Sequence, residues 1–304
     1  MTLQQLKYIL AIAETGSMNK AAETLYISQP SLTSSVQDLE RETGIKIFHR
    51  SGRGVTLTND GAEFMQYARQ VVGQFDILAE KYIGKGKVKK KFGVSTQHYS
   101  FAVKAFVEMV KSFDTSEYEF AIRETKTAEI ISDVATMRSE IGIIYFNDFN
   151  RKPLTKLLST NGLEFHTLTN CKPFVYLWKG HPLANENSIT FEQLADYPCL
   201  SFEQGDKSSF YLAEEILSTN EYQRIIKAND RATMLNLMIG LGGYTLCSGI
   251  ICEELNGSDY TAIPFDCGTD DEIMEIGYIT LKNVILSEMA EIYLDELREY
   301  LQTD

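Results

Sequence analysis

Residues 17–43 read SMNKAAETLYISQPSLTSSVQDLERET, and this stretch predicts two short amphipathic helices joined by a tight turn. Ser28 is placed to cap the second helix, because its side-chain oxygen can accept a hydrogen bond from a free N–H of the first turn. Leu32, Val36 and Leu39 then recur at i, i+4 and i+7, which is the spacing of one buried stripe. We therefore expect a helical pair whose second helix packs one face inward and leaves the other in solvent.

The outward face of the second helix carries few charges, although a solvated helix usually carries lysine and glutamate there. Its side chains are mostly short amides and hydroxyls, and Pro30 falls in the first turn, where a missing N–H loses no helical bond. Amide and hydroxyl groups meet base edges when a helix lies in the major groove of DNA. The pattern predicts a recognition helix with DNA contacts from Ser28, Gln29, Pro30, Ser31, Thr33, Ser34 and Gln37.

Elements on both sides extend this pair to a domain over residues 1–58. Residues 2–15 predict a first helix, and Gly44 is placed to end the recognition helix. The segments KIFHR, SGRG and VTLT then have the pattern of a strand, a turn and a strand. Such a hairpin is a wing, from which Arg50 and Arg53 could reach phosphates or a narrow minor groove. The alternative is a purely structural set of helices and hairpin.

The next segment, residues 59–84, predicts one long helix with a heptad seam. Its apolar residues follow one another in alternating steps of four and three, as in a coiled coil. They are Phe64, Ala68, Val71, Phe75, Leu78 and Tyr82. A second copy of the chain is the simplest partner for this seam, and packing within the same chain is the alternative. A dimer would present two recognition helices to a pseudo-palindromic site with half-sites about 34 Å apart.

Residues 1–84 resemble the winged helix-turn-helix and linker helix of LysR-type transcriptional regulators. The resemblance is carried by LQQLKYILAIAETGSMNKAAETLYISQPSLTSSVQDLERETGIKIFHRSGRGVTLTNDGAEF and, more weakly, by KGHPLANENSITFEQLADYP and MLNLMIGLGGYTLCSGI. Gly249 departs from the family, which often has proline there. The resemblance implies a C-terminal effector domain shaped like a periplasmic binding protein, a homodimer or homotetramer, control by a small-molecule effector, and RNA polymerase as a partner.

The predicted fold class is a multi-domain α+β chain, with a winged helix-turn-helix, a long linker helix and a two-lobed α/β effector domain. Residues 85–91, within GKGKVKKK, are predicted to be a hinge. Strand and helix signals alternate in residues 92–304, which favours parallel sheets with right-handed crossovers. The resemblance implies that the last elements return to the first lobe, so we expect lobe I in about residues 92–164 and 268–304, and lobe II in about residues 165–267. Helix 208–219 and strand 222–228 are among the predicted elements of lobe II.

Three stretches are predicted to meet in a cleft between the lobes, because ligands of open α/β sheets bind at the carboxyl ends of strands. Hydroxyls and free helical N–H groups there favour a carboxylate or another anion. Glu203 and Asp206 could instead bind an amine, such as the amino group of an amino acid. Helix capping is the alternative for each hydroxyl. The predicted effector residues are Ser95, Thr96, Gln97, His98, Thr125, Thr127, Ser201, Phe202, Glu203 and Gln204.

The chain of 304 residues has a net charge of −13, but the acidic residues are unevenly spread. Residues 1–58 carry +1, residues 59–92 carry +3 and residues 93–304 carry −17, so the acidic part lies outside the predicted DNA-binding domain. The sequence contains no stretch of 18 apolar residues and no basic-then-apolar N-terminal signal. These features predict a cytoplasmic protein with no membrane partner.

The cysteine spacing and the absence of known motifs argue against metal binding, cofactor binding and catalysis. The five cysteines are scattered without a C-x-x-C pair, and no metal-ligand spacing, phosphate-cradling loop or catalytic signature occurs in the sequence. We therefore expect no metal, no cofactor and no enzymatic activity. Two alternatives to an effector-controlled regulator stay open. One is a redox sensor that pairs Cys247 with Cys252, and the other is a DNA-bending scaffold without an effector.

Overall fold

The computed structural model describes residues 1–51, 54–82, 90–113, 117–205, 210–268 and 272–302. It divides into two compact units, Met1–Val88 and Lys89–Asp304. Helices and strands are both present in each unit, and the predicted multi-domain α+β class is confirmed. Within the described ranges, no helix is long and apolar enough to cross a membrane.

The N-terminal unit is a helical core with a two-stranded hairpin. Ile9, Ile12, Leu32 and Leu39 are fully buried in the core, so the helical stripe read from the sequence does face inward. Ser28 caps the recognition helix by accepting from the Ser31 N–H. The elements are α1 Leu3–Thr15, α2 Met18–Thr24, α3 Gln29–Thr43, β1 Phe48–Ser51, β2 Gly54–Leu57 and α4 Asn59–Tyr82.

Glu40 is a buried carboxylate that ties α3 to the chain entering the hairpin. Its Oε1 accepts from the main-chain N–H groups of Ile47 and Phe48, and its Oε2 pairs with Lys46 at 2.9 Å. Burial acts to raise the pKa of Glu40, but these hydrogen bonds outweigh it and lower the pKa below the ordinary value. The carboxylate therefore stabilises the position of the hairpin next to the recognition helix.

The C-terminal unit contains two sheets, and we define its lobes by them. Lobe I has the strand order β4-β3-β5-β13-β6, and lobe II has β10-β9-β11-β7-β12-β8. The strands are β3 Lys90–Thr96, β4 Tyr118–Glu124, β5 Ile141–Phe146, β6 Leu163–Cys171, β7 Phe174–Trp178, β8 Ile189–Thr190, β9 Cys199–Phe202, β10 Ile225–Ala228, β11 Tyr244–Cys247, β12 Tyr260–Asp266 and β13 Met274–Leu281. The helices are α5 Ser100–Ser112, α6 Thr127–Ala135, α7 Asp148–Thr160, α8 Phe191–Leu194, α9 Arg231–Leu241, α10 Glu253–Asn256 and α11 Glu288–Gln302.

The strand pairing confirms parallel neighbours where the sequence alternates strand and helix. β3 pairs parallel with β4 and β5, and β9 pairs parallel with β10 and β11. All six residues of β5 are buried. Strand β13 returns antiparallel to β5 and β6, and β7 is antiparallel to β11 and β12. The sheets of both lobes are thus mixed.

Several predicted boundaries are wrong. The lobe boundary at residue 165 falls inside β6, which pairs with β13 along Leu163–Cys171 and therefore belongs to lobe I. Helix α7 was missed between β5 and β6. Of the predicted hinge, Lys90 and Lys91 lie in β3, because they continue its ladder with β4, and residues 85–89 lie outside the described ranges. Linker-helix residues 83 and 84 also lie outside them.

The predicted helix 208–219 does not form in the described residues. Only Phe210–Leu212 make a short 3₁₀ turn, and the chain then continues irregularly to β10, whose first residue is Ile225. Glu214, Glu215 and Ile216 are consecutive and all buried. Glu214 contacts His98, and Glu215 accepts from the Phe202 N–H, so contacts with distant parts of the chain hold this stretch. Tertiary contacts therefore override the local helical pattern.

Gly249, the departure from the family pattern, has a backbone that proline cannot adopt. Its φ is +78°, in the left-handed region, whereas proline is held near −65°. An added Cβ would also lie 2.5 Å from the Phe174 ring. Glycine is therefore required by this turn.

Candidate DNA-reading surface and effector cleft

Most side chains of the predicted reading face of α3 are exposed to solvent. Ser28, Gln29, Pro30, Ser31, Ser34 and Gln37 are exposed, and Thr33 is half-buried. The Gln29 amide donates to the Thr33 hydroxyl at 2.8 Å, which orders two of these side chains on the same face. Arg50 is exposed on β1, whereas Arg53 lies outside the described residues. The arrangement presents amides and hydroxyls of the kind that contact base edges.

Sequence reasoning missed Tyr26 in the turn before α3. This side chain is 95% exposed, and its backbone has φ +54° in the left-handed region. Large residues seldom occupy that region, and an aromatic ring is seldom left so free of packing. The signal in the sequence was a tyrosine in a turn where glycine or asparagine is ordinary. Its position next to the cap of α3 adds Tyr26 to the candidate DNA contacts.

The exposed apolar stripe of α4 contains Tyr67 where the predicted seam has Ala68. Val71, Phe75 and Leu78 are exposed, as is Tyr67 at 60%. The assignment of Ala68 to the seam is wrong, because Ala68 is 2% exposed and packs with Met65 and Val72 in the core of the same unit. The other predicted members are Phe64, which is half-buried against that core, and Tyr82, whose side chain lies outside the described residues.

The three stretches predicted to line the cleft do come together in the C-terminal unit. The Gln97 amide after β3 donates to the Thr127 hydroxyl at the start of α6, at 2.7 Å. The Thr127 N–H in turn donates to the Gln204 side-chain oxygen at 3.0 Å. Gln97 and Thr127 belong to lobe I and Gln204 follows β9 of lobe II. The bond between Thr127 and Gln204 therefore links the lobes.

His98 lies at the centre of this junction. Its ring stacks on Phe202, with the ring centroids 3.8 Å apart and the planes 5° from parallel. Its Nδ1 lies 2.8 Å from Oε2 of Glu214, and the two side chains are only 5% and 4% exposed. The Glu214 carboxylate also accepts from the His98 main-chain N–H and from the Gln204 amide. Glu214 was not among the predicted residues, because it fell inside the mistaken helix.

Other predicted effector residues have partners elsewhere. The Ser95 hydroxyl is fully buried and donates to Asp133 at 2.7 Å, and the Thr96 hydroxyl donates to the Gln97 carbonyl. The Thr125 hydroxyl bonds to Glu129, one turn into α6. These three hydroxyls are bound within lobe I, but none of them caps the first turn of a helix, so the capping alternative is wrong for them. Ser201 and Glu203 are half-buried, and Asp206 lies outside the described residues.

A cavity of about 70 Å³ lies next to His98, between the two lobes. Most of its wall surface is apolar, with polar groups interspersed. Its lining includes His98, Ser100, Tyr176, Phe202, Glu214, Glu215, Arg231, Met234, Leu235, Met238, Thr245, Cys247, Ser248, Ile250, Ile251 and Asn256. Of the predicted effector residues, only His98 and Phe202 line it.

Three polar atoms of residues on this lining are buried without a hydrogen-bond partner among the described residues: Nε and Nη2 of Arg231 and Oγ1 of Thr245. Nη2 faces the Glu124 carboxylate in an ion pair, which leaves Nε and Oγ1 without any partner in the described part of the chain. Arg231 begins α9, forms an ion pair with Glu124 of lobe I and donates to Asn256 at 3.1 Å. Burial lowers the pKa of Arg231 to about 10, so the guanidinium remains charged at neutral pH. Buried polar atoms normally have partners, so a ligand in the cavity would complete this site.

Glu215 is the second buried acid of the junction. Its carboxylate accepts from the Phe202 N–H at 2.6 Å, and its main-chain carbonyl accepts from the Tyr145 hydroxyl at 3.1 Å. Burial, followed by the nearby charge of Glu214, raises the pKa of Glu215 to about 8. Glu215 is therefore mostly protonated at neutral pH, which reduces the repulsion between two adjacent buried carboxyls.

Cysteines 247 and 252 were predicted as an alternative sensor, and both are free thiols in the structure. Cys247 lines the cavity, and burial raises the pKa of its thiol to about 12. Cys252 is buried, and its main-chain N–H donates to the Ser100 hydroxyl at 3.0 Å. Over the part of the chain that the structure describes, no three His, Cys, Asp or Glu residues are placed to hold a metal ion.

Two family models match the chain. Residues 3–62 match the bacterial regulatory helix-turn-helix protein model of the lysR family, and residues 97–302 match the LysR substrate binding domain. The HTH-type transcriptional regulator TfdT of Cupriavidus pinatubonensis is 49% identical over 72 residues. That alignment covers 24% of this chain and spans only about a third of TfdT (32%).

Solved structures show the same fold over nearly the whole length. A full-length OxyR variant from Pseudomonas aeruginosa is 20% identical, with a TM-score of 0.66 and 98% of each chain covered. Full-length CbnR, a LysR-type regulator, in complex with its target DNA is 18% identical, with a TM-score of 0.54 over 99% of this chain and 100% of CbnR. Because the family models match well over half of the chain, this protein belongs to the LysR family of bacterial DNA-binding transcriptional regulators.

Proposed function

We propose that this regulator reads a pseudo-palindromic operator as a homodimer or a tetramer, with α3 in the major groove and Arg50 on the phosphates. The exposed amides and hydroxyls of α3 support this assignment of the reading residues. The apolar stripe of Tyr67, Val71 and Leu78 supports pairing through α4, because a helix rarely leaves such a stripe in water. RNA polymerase is the downstream partner that regulation of transcription requires.

A small molecule bound between the lobes is the proposed signal. The observation that carries this proposal is the pair of unpartnered buried atoms, Arg231 Nε and Thr245 Oγ1, on the lining of one cavity. A guanidinium with a free donor favours a carboxylate, and the methionine and isoleucine side chains around it favour an apolar body. We therefore propose a small organic carboxylate, with amino-acid-like molecules included in the class.

Control of transcription would follow from differential affinity. An effector that binds one arrangement of the two lobes more tightly than another shifts the protein toward that arrangement. The hydrogen bond from the Thr127 N–H to the Gln204 side-chain oxygen joins the lobes, so a ligand at this junction can change how the lobes meet. We propose that this change alters the operator footprint or the DNA bend.

The effector proposal is tested by thermal shift of the full chain against a panel of metabolites that contains carboxylates, amines and neutral analogues. A carboxylate should stabilise the wild type, and Arg231→Gln should abolish the shift. Arg298→Gln, at an exposed arginine of α11, is the matched control and should leave the shift intact. Pull-down of bound genomic DNA identifies the operators, on which the footprint is then measured with and without the stabilising carboxylate. A stabilising carboxylate that binds Arg231→Gln equally well would refute the assignment.

Burial works against the redox alternative, because a thiol with a raised pKa holds little of the reactive thiolate. Cys247→Ser should therefore leave regulation under peroxide unchanged. The scaffold alternative predicts that no member of the panel shifts the melting temperature.

A further inference from the structure

Residues 210–217, which we call the crossing segment, leave the sheet of lobe II and pack against lobe I. Leu212 is 8% exposed and joins a buried cluster with Ile144 and Leu154 of lobe I. The Tyr145 hydroxyl of β5 donates to the Glu215 carbonyl. The segment has no regular structure after its 3₁₀ turn, so tertiary contacts of this kind hold it in place.

The Glu214 carboxylate is bound as a ligand would be. Oε2 accepts from the His98 main-chain N–H at 2.9 Å and lies 2.8 Å from the His98 Nδ1. Oε1 accepts from the Gln204 amide at 2.8 Å. A main-chain N–H, an imidazole and an amide that converge on two oxygens form a site suited to carboxylate recognition. The donors come from both lobes, and the acceptor comes from the crossing segment.

The space beside this site is too small for an organic effector. The cavity measures about 70 Å³, room for about two waters, whereas small-molecule sites span roughly 300–1,000 Å³. Strands and α9 form most of the other walls. The crossing segment is irregular, and its Leu217 has φ +61°, a left-handed conformation that costs an ordinary residue energy. Displacement of the crossing segment would break its tertiary contacts but no strand ladder or α-helix.

We propose that Glu214 is a built-in ligand: its carboxylate occupies a carboxylate site between His98 and Gln204, and the effector binds by displacing the crossing segment and placing a carboxylate there, while a second acceptor group of the effector meets Arg231. This inference rests on the effector cleft proposed above and deepens it. Exchange of one carboxylate for another leaves the His98 and Gln204 donors satisfied, whereas a neutral ligand would leave them with a weaker acceptor. The site therefore selects carboxylates, and the released segment supplies the missing volume.

Chemical rescue tests the first half of the proposal. Glu214→Ala removes the carboxylate from the full chain, and acetate is the probe that can replace it. We expect saturating acetate to raise the melting temperature of Glu214→Ala by about 3–5 °C, while acetamide, its neutral analogue, has no such effect. Glu221→Ala, at an exposed glutamate beyond the segment, is the matched control and should respond to acetate as the wild type does. An equal acetate response in all three proteins overturns the proposal.

Hydrogen exchange tests the second half and separates a built-in ligand from a structural carboxylate. In Glu214→Ala, acetate should slow exchange of the amides at residues 97–100 but leave residues 210–217 exchanging at least tenfold faster than in the wild type, because acetate is not attached to the segment. Slow exchange of 210–217 in Glu214→Ala, with or without acetate, overturns displacement. If Glu214→Ala does not fold, Glu214→Gln takes its place, and exchange of 210–217 equal to that in Glu221→Gln is the overturning result.

The two proposals fail separately. A metabolite that requires Arg231 and changes the operator footprint would sustain the effector function even if acetate rescue failed. In that case the effector binds without replacing Glu214.

Discussion

Oε1 of Glu40 lies 2.9 Å from the main-chain nitrogen of Ile47, so that one buried carboxylate joins the recognition helix to the start of the wing. Glu40 is only 7% exposed, and its second oxygen pairs with Lys46. The relationship matters for DNA reading, because the helix and the wing must keep a common geometry to contact the groove and the backbone together.

Removal of the Glu40 carboxylate should destabilise the N-terminal unit. Glu40→Ala leaves the buried N–H groups of Ile47 and Phe48 without their acceptor, at an expected cost of about 2–4 kcal/mol. Calorimetry of the full chain should show a lower transition temperature for this unit. Glu23→Ala, at an exposed glutamate of α2, should be near neutral. Equal shifts for the two variants would contradict the role of Glu40.

Glu215 should make stability fall with rising pH. Burial raises the pKa of Glu215 to about 8, whereas the unfolded chain titrates this group near its ordinary value of 4.5. Between those values the folded state retains a proton that the unfolded state has lost, so unfolding becomes easier as pH increases toward about 8. Glu215→Gln removes this effect. The melting temperature of the variant minus that of the wild type should therefore increase from about pH 5 to about pH 8.5. A constant difference across this range would argue against burial of the acid.

A charge in the exposed stripe of α4 should break the proposed dimer. Val71→Glu places a carboxylate on the stripe, where pairing would bury it, and a buried unpaired charge costs several kcal/mol. Sedimentation should show dissociation at concentrations at least tenfold higher than for the wild type. Ala62→Glu makes the same kind of change on the opposite side of the helix, where Ala62 is exposed, and should leave the dimer intact. Dissociation of both variants alike would assign the effect to helix destabilisation.

Reading and anchoring residues should differ in their effect on DNA binding. Gln29→Ala should reduce the preference for the operator over random DNA by about 1–3 kcal/mol, because a base-edge contact is lost. Arg50→Ala should instead weaken both kinds of binding and lower the slope of affinity against salt by about one. Titrations with both DNAs at several salt concentrations measure the two effects. If Gln29→Ala weakened both DNAs equally, α3 would not be the reading element.

Local patterns in the sequence predicted the structure correctly where the interacting residues are close together in the chain. Ser28 caps α3 three residues from its hydrogen-bond donor, and Leu32 and Val36 share a buried face because helical spacing places them there. The sequence also predicted that the strand endings before Gln97 and Gln204 meet, since ligands of open α/β sheets bind at the carboxyl ends of strands, and in the structure Thr127 joins these two residues across the lobes. Ala68 was misplaced because a heptad pattern cannot distinguish the partner of a helix, and here α1 of the same unit covers that position.

The sequence by itself determined the DNA-reading module, because its caps, turns and apolar stripes act over a few residues and specify helix, turn and wing in order. Only the tertiary structure decided the chemistry of the cleft. Glu214 reaches His98 across 116 positions of chain, and Arg231 meets Glu124 from the other lobe. Burial of Leu212 and Glu215 replaced the helix that residues 208–219 favour locally. Contacts between segments so far apart depend on how two sheets pack, and no local pattern encodes that packing.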